Sequence, residues 1–470
     1  MDQPTSLVWL RNDLRLSDNP ALVGARRNGG RVVALYIHEN AEGLRVPGAA
    51  ARWWLHHSLE ALGPALAKAG IALLVRSGAA QSVLEKAIAD EGAGSVHWNR
   101  RYAPGEREID QALKSHLRDR GLTVTSYPGN LLAEPWTIAT GQGKSYSVFS
   151  PYWKTLRDCR IDAPLAAPDA AGGKLAARGW DGDYKAPHWA AKFGGQWQIG
   201  EAAAQQALHD FLDDRLEDYP EGRDFPGRDV TSRLSPHLRF GEISARQVWY
   251  AALARIEAEP EVKPAVDKFL SELAWRDFSY HQLYHRRDIA TVPMQEKYGG
   301  MRWHADGAAE TAWQKGQTGI PIIDAGMREL WQTGYMHNRV RMLVASFLTK
   351  NLLVDWRHGE RWFWDCLVDA DVANNPASWQ WVAGCGLDAA PYFRIFNPVT
   401  QGERFDEAGL YVRQWVPELA QMPDKWLHDP ASAPEDVLRK AGVTLGTTYP
   451  KPMIDLKASR QRALERQGEL

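Results

Sequence analysis

Hydrophobic positions change their rhythm along the chain. In the first part they come as short runs separated by helical stretches. Residues 7–10 form an apolar run, residues 31–38 are rich in β-branched side chains, and residues 71–75, 95–98 and 122–127 repeat the pattern. Between them, the stretch from Ala21 and the segments 50–69, 82–90 and 106–120 read as helices, the last closed by Gly121. Asp18, Asn19 and Pro20 supply a cap and a proline suited to a first helical turn. This alternation predicts an α/β domain over residues 1–130, built on a parallel, five-stranded, doubly wound sheet. No GxGxxG follows the first strand, so the usual dinucleotide fingerprint is absent.

Residues 131–199 lose that order. The stretch IDAPLAAPDAAGGKLAARGWDGDYKAPHW is rich in Ala, Pro and Gly without a period, and reads as an inter-domain connector. Over residues 200–470 the pattern is mostly helical, with helices predicted at 201–216, 245–258, 266–285, 322–333, 336–352 and 360–367. Pro321 and Gly334 bracket one of these in the expected order. A chain of 470 residues thus reads as an α/β domain, a connector and an all-α domain.

Composition adds three constraints. A net charge of −2 gives no global basic signature, so a nucleic-acid partner would need a local patch. Cys159, Cys366 and Cys385 are odd in number and widely spaced, with no CxxC, which indicates neither a disulfide framework nor a zinc site and suits a reducing cytoplasm. The opening residues carry no basic segment followed by a long apolar one, and no apolar run approaches membrane-spanning length, so neither a signal peptide nor a membrane is expected. Tryptophan changes the picture. Its 21 copies far exceed ordinary usage, and its π-system stacks on flavins and bases, although a Trp-rich core would also account for them.

Four segments of the helical part are unusually polar for their setting. After Tyr219, the stretch RDFPGRDVTSRLSPHLRFGEIS brings Thr231, Ser232, Arg233 and Ser235 into one tight loop, suited to cradling a pyrophosphate or simply to capping the next helix. In FLSELAWRDF, Glu272 and Arg276 share a helix face beside Trp275; a surface ion pair is the bland alternative. In TGYMHNRVRMLVASFL, His337 and Arg341 share one face and Asn338 and Met342 another, amid apolar residues that imply burial and hence a need for partners. In LVDADVANNPASWQWVAGCG, Asp369, Asp371, Asn374 and Asn375 precede Trp379 and Trp381, as an Asx-rich cap or as a polar lining for a planar heterocycle. No Ser–His–Asp order, Walker loop or HExxH is present, which leaves the hard chemistry to a cofactor.

Taken in order, WLRNDLRLSDNPAL, TSRLSPHL, ELAWRDF, GYMHNRVRM, DWRHGERWFW, DADVANNPASWQW and DAAPYFRIFNPVTQGERFD resemble the photolyase/cryptochrome family over almost the whole chain. The resemblance implies an N-terminal antenna-binding domain and a helical domain holding FAD. By resemblance, Tyr219 and Thr231, Ser232, Arg233, Leu234 and Ser235 meet the FAD phosphates and ribitol. Phe269, Glu272, Arg276, Asn338, Arg341, Asp369, Asp371 and Asn375 surround the rest, with Asn375 facing flavin N5. Phe269 and Tyr335 stand where many relatives have Trp; both keep an aromatic ring. Trp379, Trp356 and Trp303 fall on the family's electron-transfer chain.

The implied activity is light-driven repair of cyclobutane pyrimidine dimers, with reduced FAD donating an electron to a dimer flipped out of duplex DNA. Trp275 and Trp381 would wall the dimer, Glu272 would hydrogen-bond it, Asn338 and Met342 would touch the same pocket, and Arg223 and Arg339 would meet phosphates. The enzymes that repair 6-4 photoproducts resemble each other in having His where this chain has Asn338 and Met342. Plant cryptochromes usually carry Asp where Asn375 stands. A blue-light flavin photoreceptor without repair is the competing reading. A monomer in the cytoplasm is expected. For the antenna, GAAARWWLHHSLEAL resembles a branch often paired with 5,10-methenyltetrahydrofolate, with Glu106 at a pterin-contact position and Trp53 or Trp54 able to stack; a deazaflavin or no antenna stays open.

Overall fold

The computed structural model describes residues 5–168, 184–304, 306–392 and 394–470. Part of the connector, residues 169–183, and Phe393 within the last quoted motif lie outside the described residues. The chain forms two compact units, Met1–Glu217 with Ser232–Arg287, and Asp218–Thr231 with Asp288–Leu470.

In the first unit, strands β1 (Thr5–Leu10), β2 (Val32–Glu39), β3 (Ala72–Gly78), β4 (Ala93–Asn99) and β5 (Thr123–Tyr127) form one parallel sheet in the order β3-β2-β1-β4-β5. Its strands read as unbroken apolar runs because helices cover both faces of such a sheet. Leu7, Trp9, Val33, Leu35, Leu74, Val96 and Trp98 make the buried cluster, with Trp9 and Trp98 edge to face at 5.7 Å. The crossover helices are Pro20–Arg27, Ala49–Lys68, Ala80–Glu91 and Pro104–Asp119. Asn19 caps the first of them through its side chain to the Leu22 N–H.

The order of the strands reverses between β1 and β4, and the crevice at that point is where doubly wound sheets receive ligands. Here it holds the protein's own charges. Asp110 pairs with Arg11 at 3.2 Å and with Arg101 at 2.6 Å, and Arg101 also pairs with Glu39. Asn99 bridges to Asp13 at 2.6 Å. All of these side chains are buried or nearly so, and the guanidinium groups of Arg11 and Arg101 lie over the Trp9 ring at 4.4 and 4.9 Å.

The stretch read as a connector contains a helix, Phe149–Asp158. Its Pro- and Gly-rich surroundings hide the spacing of Phe149, Tyr152 and Leu156, which form the buried face. That face packs on the 23-residue helix Lys263–His285, where Phe149 stacks on Trp275 at 3.8 Å and Tyr152 meets Phe278 at 5.1 Å. The same long helix fastens the preceding chain by its polar groups. Asp277 accepts from the Leu132 N–H, Arg276 donates to the Asn130 carbonyl, and His281 donates to the Pro135 carbonyl while accepting from the Tyr146 N–H.

The second unit is helical and builds one apolar cluster around Trp313, Leu348, Trp356, Phe363 and Trp379. Helix Pro321–Thr333 begins and ends at the proline and glycine that bracket it in sequence, with Gly334 at φ 70°. The helix expected over 336–352 runs only from Asn338 to Ser346 before widening into a π-helical turn, Phe347–Asn351. That turn buries Lys350, whose Nζ donates to the Arg394 carbonyl at 3.1 Å; burial lowers its pKa to about 8. Among the described residues, no disulfide joins Cys159, Cys366 and Cys385. Among the described residues, no helix is long and apolar enough to cross a membrane.

Burial holds His97, His281 and His337 each at about 4, below the usual 6.5. The unfolded chain therefore takes up protons first as pH falls. The contribution is fully present above about pH 6.5 and is lost on the way down to about 4. The urea-unfolding midpoint is expected to drop across that window, by at most about 1.4 kcal/mol per pH unit for each histidine. His281→Gln should flatten the slope; an unchanged slope would show that His281 takes no part.

Candidate functional site

The polar segments singled out in the sequence fall into the two units, and each assembles a distinct arrangement. In the second unit the centre is Arg341, from helix Asn338–Ser346, and Asp369, from the turn before helix Asn374–Ala383. The two meet side by side, Nη1 to Oδ1 at 3.1 Å and Nη2 to Oδ2 at 2.8 Å, while Arg341 Nε donates to the Met336 carbonyl at 2.7 Å. Burial disfavours the Arg341 charge, but Asp369, with Tyr335 and Glu329 adding to it, more than offsets this and raises the guanidinium pKa. Tyr335 lies beneath the guanidinium at 5.1 Å.

Asp371 works locally. Its Oδ1 accepts from the N–H groups of Ala373 and Asn374 and from the Asn374 amide, which starts the next helix. Asn375 then sits one residue inside that helix, 8 % exposed. Its amide nitrogen donates twice to Glu360, to the carbonyl at 3.0 Å and to Oε1 at 2.8 Å. With both donors used, the amide oxygen is left as the acceptor. Glu360 is the residue the sequence reading missed. The signal was an acid set between the aromatic residues of DWRHGERWFW, where only 2 % of it is exposed.

Trp379 and Trp356 are buried in the apolar cluster of this unit, and Trp303 packs half-buried at its margin. Trp379 lies edge to face with Phe363 at 5.0 Å and with Trp313 at 6.2 Å. Its place depends on Gly359, since a Cβ there would stand 2.1 Å from the ring. The buried indole nitrogen of Trp356 has no hydrogen-bond partner among the described residues. Trp381 and Met342 are half-buried on the same cluster and Asn338 is exposed.

Arg223 and Arg339 converge on Asp224, a second residue the sequence reading passed over. Arg339 pairs with it at 2.6 Å and Arg223 lies 4.0 Å away. Arg339 also lies over Phe405 at 4.4 Å and Arg223 over the buried Tyr219 at 5.5 Å. Thr231 is half-buried nearby in sequence, at the end of the same segment. His337 serves as a cap, its Nδ1 accepting from the Arg339 N–H at 3.3 Å.

In the first unit, Glu272 pairs with Lys268 at 2.9 Å one turn back on helix Lys263–His285. Arg276 is committed to Asn130 and to Asp277 at 3.1 Å, and Trp275 presents one face to Phe149. Phe269 is buried against Phe211 at 4.6 Å. Ser232 accepts from the Leu234 N–H at 3.5 Å, Leu234 is buried, and Ser235 begins helix Ser235–Phe240. Arg233 adopts φ 50° and lies over Trp197 at 4.3 Å. Such a left-handed arginine is uncommon and marks the loop as specially shaped.

The antenna candidates are committed to structure. Glu106 accepts from the Ala103 N–H at 3.3 Å as part of a helix start, and burial raises its pKa. Trp54 is fully buried and donates to Glu242 at 3.2 Å, and Trp53 is buried against Phe193.

Known proteins place these arrangements. A family profile described as the FAD binding domain of DNA photolyase matches residues 269–469, and one described as DNA photolyase matches residues 6–169. A deoxyribodipyrimidine photo-lyase of Agrobacterium fabrum is 48 % identical over 97 % of this chain and 96 % of its own length. Cryptochrome-2 of Arabidopsis thaliana is 36 % identical over 98 % of this chain and 78 % of its own length. The crystal structure of a bacterial class III photolyase from Agrobacterium tumefaciens matches with a TM-score of 0.94 at 47 % identity, covering 100 % of this chain and 98 % of that one.

Two substitutions probe this geometry. Arg341→Met leaves Asp369 buried without its partner and is expected to cost roughly 3 kcal/mol in urea unfolding, the lower end for a buried pair because Arg341 is 25 % exposed. Gly359→Ala is expected to displace Trp379, costing about 1–3 kcal/mol and altering near-ultraviolet circular dichroism. A silent Gly359→Ala would contradict the close approach.

Proposed function

Because the chain belongs to the photolyase/cryptochrome family, we propose that it repairs cyclobutane pyrimidine dimers in DNA under light, with FAD as its cofactor. The observation that carries the reading is Asn375. With both amide hydrogens held by Glu360, its oxygen is an acceptor fixed for an N–H donor, which suits the N5–H of reduced flavin. A carboxylate there would instead favour other protonation states. Arg341, backed by Asp369, offers a fixed positive charge beside the same helix start. The donor set thus fits a flavin. FAD, when bound and excited, supplies the electron that splits the dimer.

The remaining roles are those of the chain itself. Trp275 and Trp381 offer apolar walls to a flipped dimer, which stacks and pairs poorly and so leaves the duplex at lower cost than normal bases. By resemblance, Glu272 is assigned to hydrogen-bond a pyrimidine edge, and Asn338 and Met342 to touch the dimer. Arg223 and Arg339, held by Asp224, meet backbone phosphates. Trp379, Trp356 and Trp303 carry an electron between solvent and the interior. Tyr219, Thr231, Ser232, Arg233, Leu234, Ser235, Phe269, Arg276 and Asp371 are assigned to FAD by resemblance. The chain acts as a cytoplasmic monomer, with residues 1–130 as the antenna domain, 131–199 as the connector and 200–470 as the catalytic domain. The pigment assigned is 5,10-methenyltetrahydrofolate, on resemblance alone, since Glu106, Trp53 and Trp54 are occupied in packing. Absorption of the protein from its own host tests it.

The likeness to a plant cryptochrome supports the second reading, a photoreceptor without repair. One experiment separates the two. Fully reduced holoprotein is illuminated at blue or near-ultraviolet wavelengths with duplex DNA carrying a thymine dimer, and restored thymines are counted. Restoration is expected; none, with reduced FAD confirmed by spectrum, defeats the repair reading. Glu272→Ala should slow repair while retaining flavin, whereas loss of flavin would give Glu272 a structural role. Raising the salt should weaken binding, with a shallower salt dependence in Arg339→Gln.

A further inference from the structure

The sequence holds no CxxC or HExxH spacing, the usual signals of a metal-ligand set. Helix Ala49–Lys68 brings together donors at a different spacing. Glu60 follows His56 by four residues and His57 by three, so both rings lie over the same turn. Glu60 Oε1 stands 3.3 Å from His56 Nε2, and Oε2 stands 2.9 Å from His57 Nδ1. One donor atom from each of the three residues lies within 4.8 Å of the others, and no other such group of three is present among the described residues.

The surroundings hold the rings in place. Trp53 packs edge-on against His57 at 4.9 Å, and Tyr184 lies against His56 at 4.7 Å. Burial lowers the pKa of His38, near the end of β2, with a further contribution from His56. Neutral imidazole is the form that offers a lone pair to a metal. Glu60 is half-exposed, so the cluster opens to solvent on one side.

We propose that His56, His57 and Glu60 form a binding site for a divalent transition-metal ion of the zinc and cobalt class, on the α/β unit. Imidazole and carboxylate are the donors such ions accept, and water completes the coordination on the open side. Metal–ligand bonds of about 2.0–2.2 Å set neighbouring donors about 3 Å apart, close to the spacing the carboxylate already keeps with each ring. Binding would cross-brace the helix and stabilise this unit by mass action.

The test uses the full-length protein and Co²⁺ as probe, read by its visible absorption and by calorimetry, with Zn²⁺ as competitor. One ion per chain is expected, displaced by Zn²⁺, with quenching of tryptophan fluorescence through Trp53. His56→Gln, His57→Gln and Glu60→Gln should each weaken the affinity by about tenfold or more, with circular dichroism unchanged. Glu60→Gln is the sharpest of these, since it removes the carboxylate charge while keeping the size and shape of the side chain. Absence of bound Co²⁺ at millimolar concentration overturns the proposal. So does equal binding by the triple variant, which would place the ion elsewhere.

Discussion

The second unit is organised by the pairing of Arg341 with Asp369. A carboxylate almost wholly removed from water needs a partner that cannot lose its charge, and arginine is the side chain that meets this. The pair joins a helix to the turn that precedes another helix. Once that turn is fixed, Asp371 can cap, and Asn375 emerges one residue inside the helix with its amide aimed at Glu360. The orientation of an uncharged amide is thus set by charges several residues away. The first unit has a counterpart in helix Lys263–His285, whose buried polar groups satisfy the backbone of a segment with little regular structure of its own.

Much of this was legible from the chain. The alternation of apolar runs and helical stretches identifies the parallel sheet, because sheets covered on both faces write an unbroken hydrophobic signature. The helix bracketed by Pro321 and Gly334 was readable for the same local reason. Less legible were features that depend on distant partners. Helix Phe149–Asp158 is stabilised by a stack on Trp275, which no local pattern announces. The π-helical turn at Phe347–Asn351 follows from burying Lys350 against a carbonyl more than forty residues away. Glu360 and Asp224 act by holding other side chains, and their roles exist only once those side chains are near.

Tryptophan shows the limit of composition most clearly. Trp9, Trp54, Trp98, Trp313 and Trp356 are all fully buried, yet only one of these five belongs to the family's electron-transfer positions. Trp136 and Trp331 are exposed. Abundance alone cannot sort packing from conduction; the assignment of Trp379, Trp356 and Trp303 to conduction rests on the ordered motifs.

The filled crevice at the edge of the sheet has a consequence for the evolution of this unit. A flat pigment entering between β1 and β4 would have to part Arg101 from Asp110 and Glu39, stranding acids in a site with little water to receive them. Gain of a ligand there is therefore not a matter of adding contacts. It would take the coordinated loss of several charged residues together, a step that single substitutions, each leaving an unmatched charge behind, are poorly placed to make.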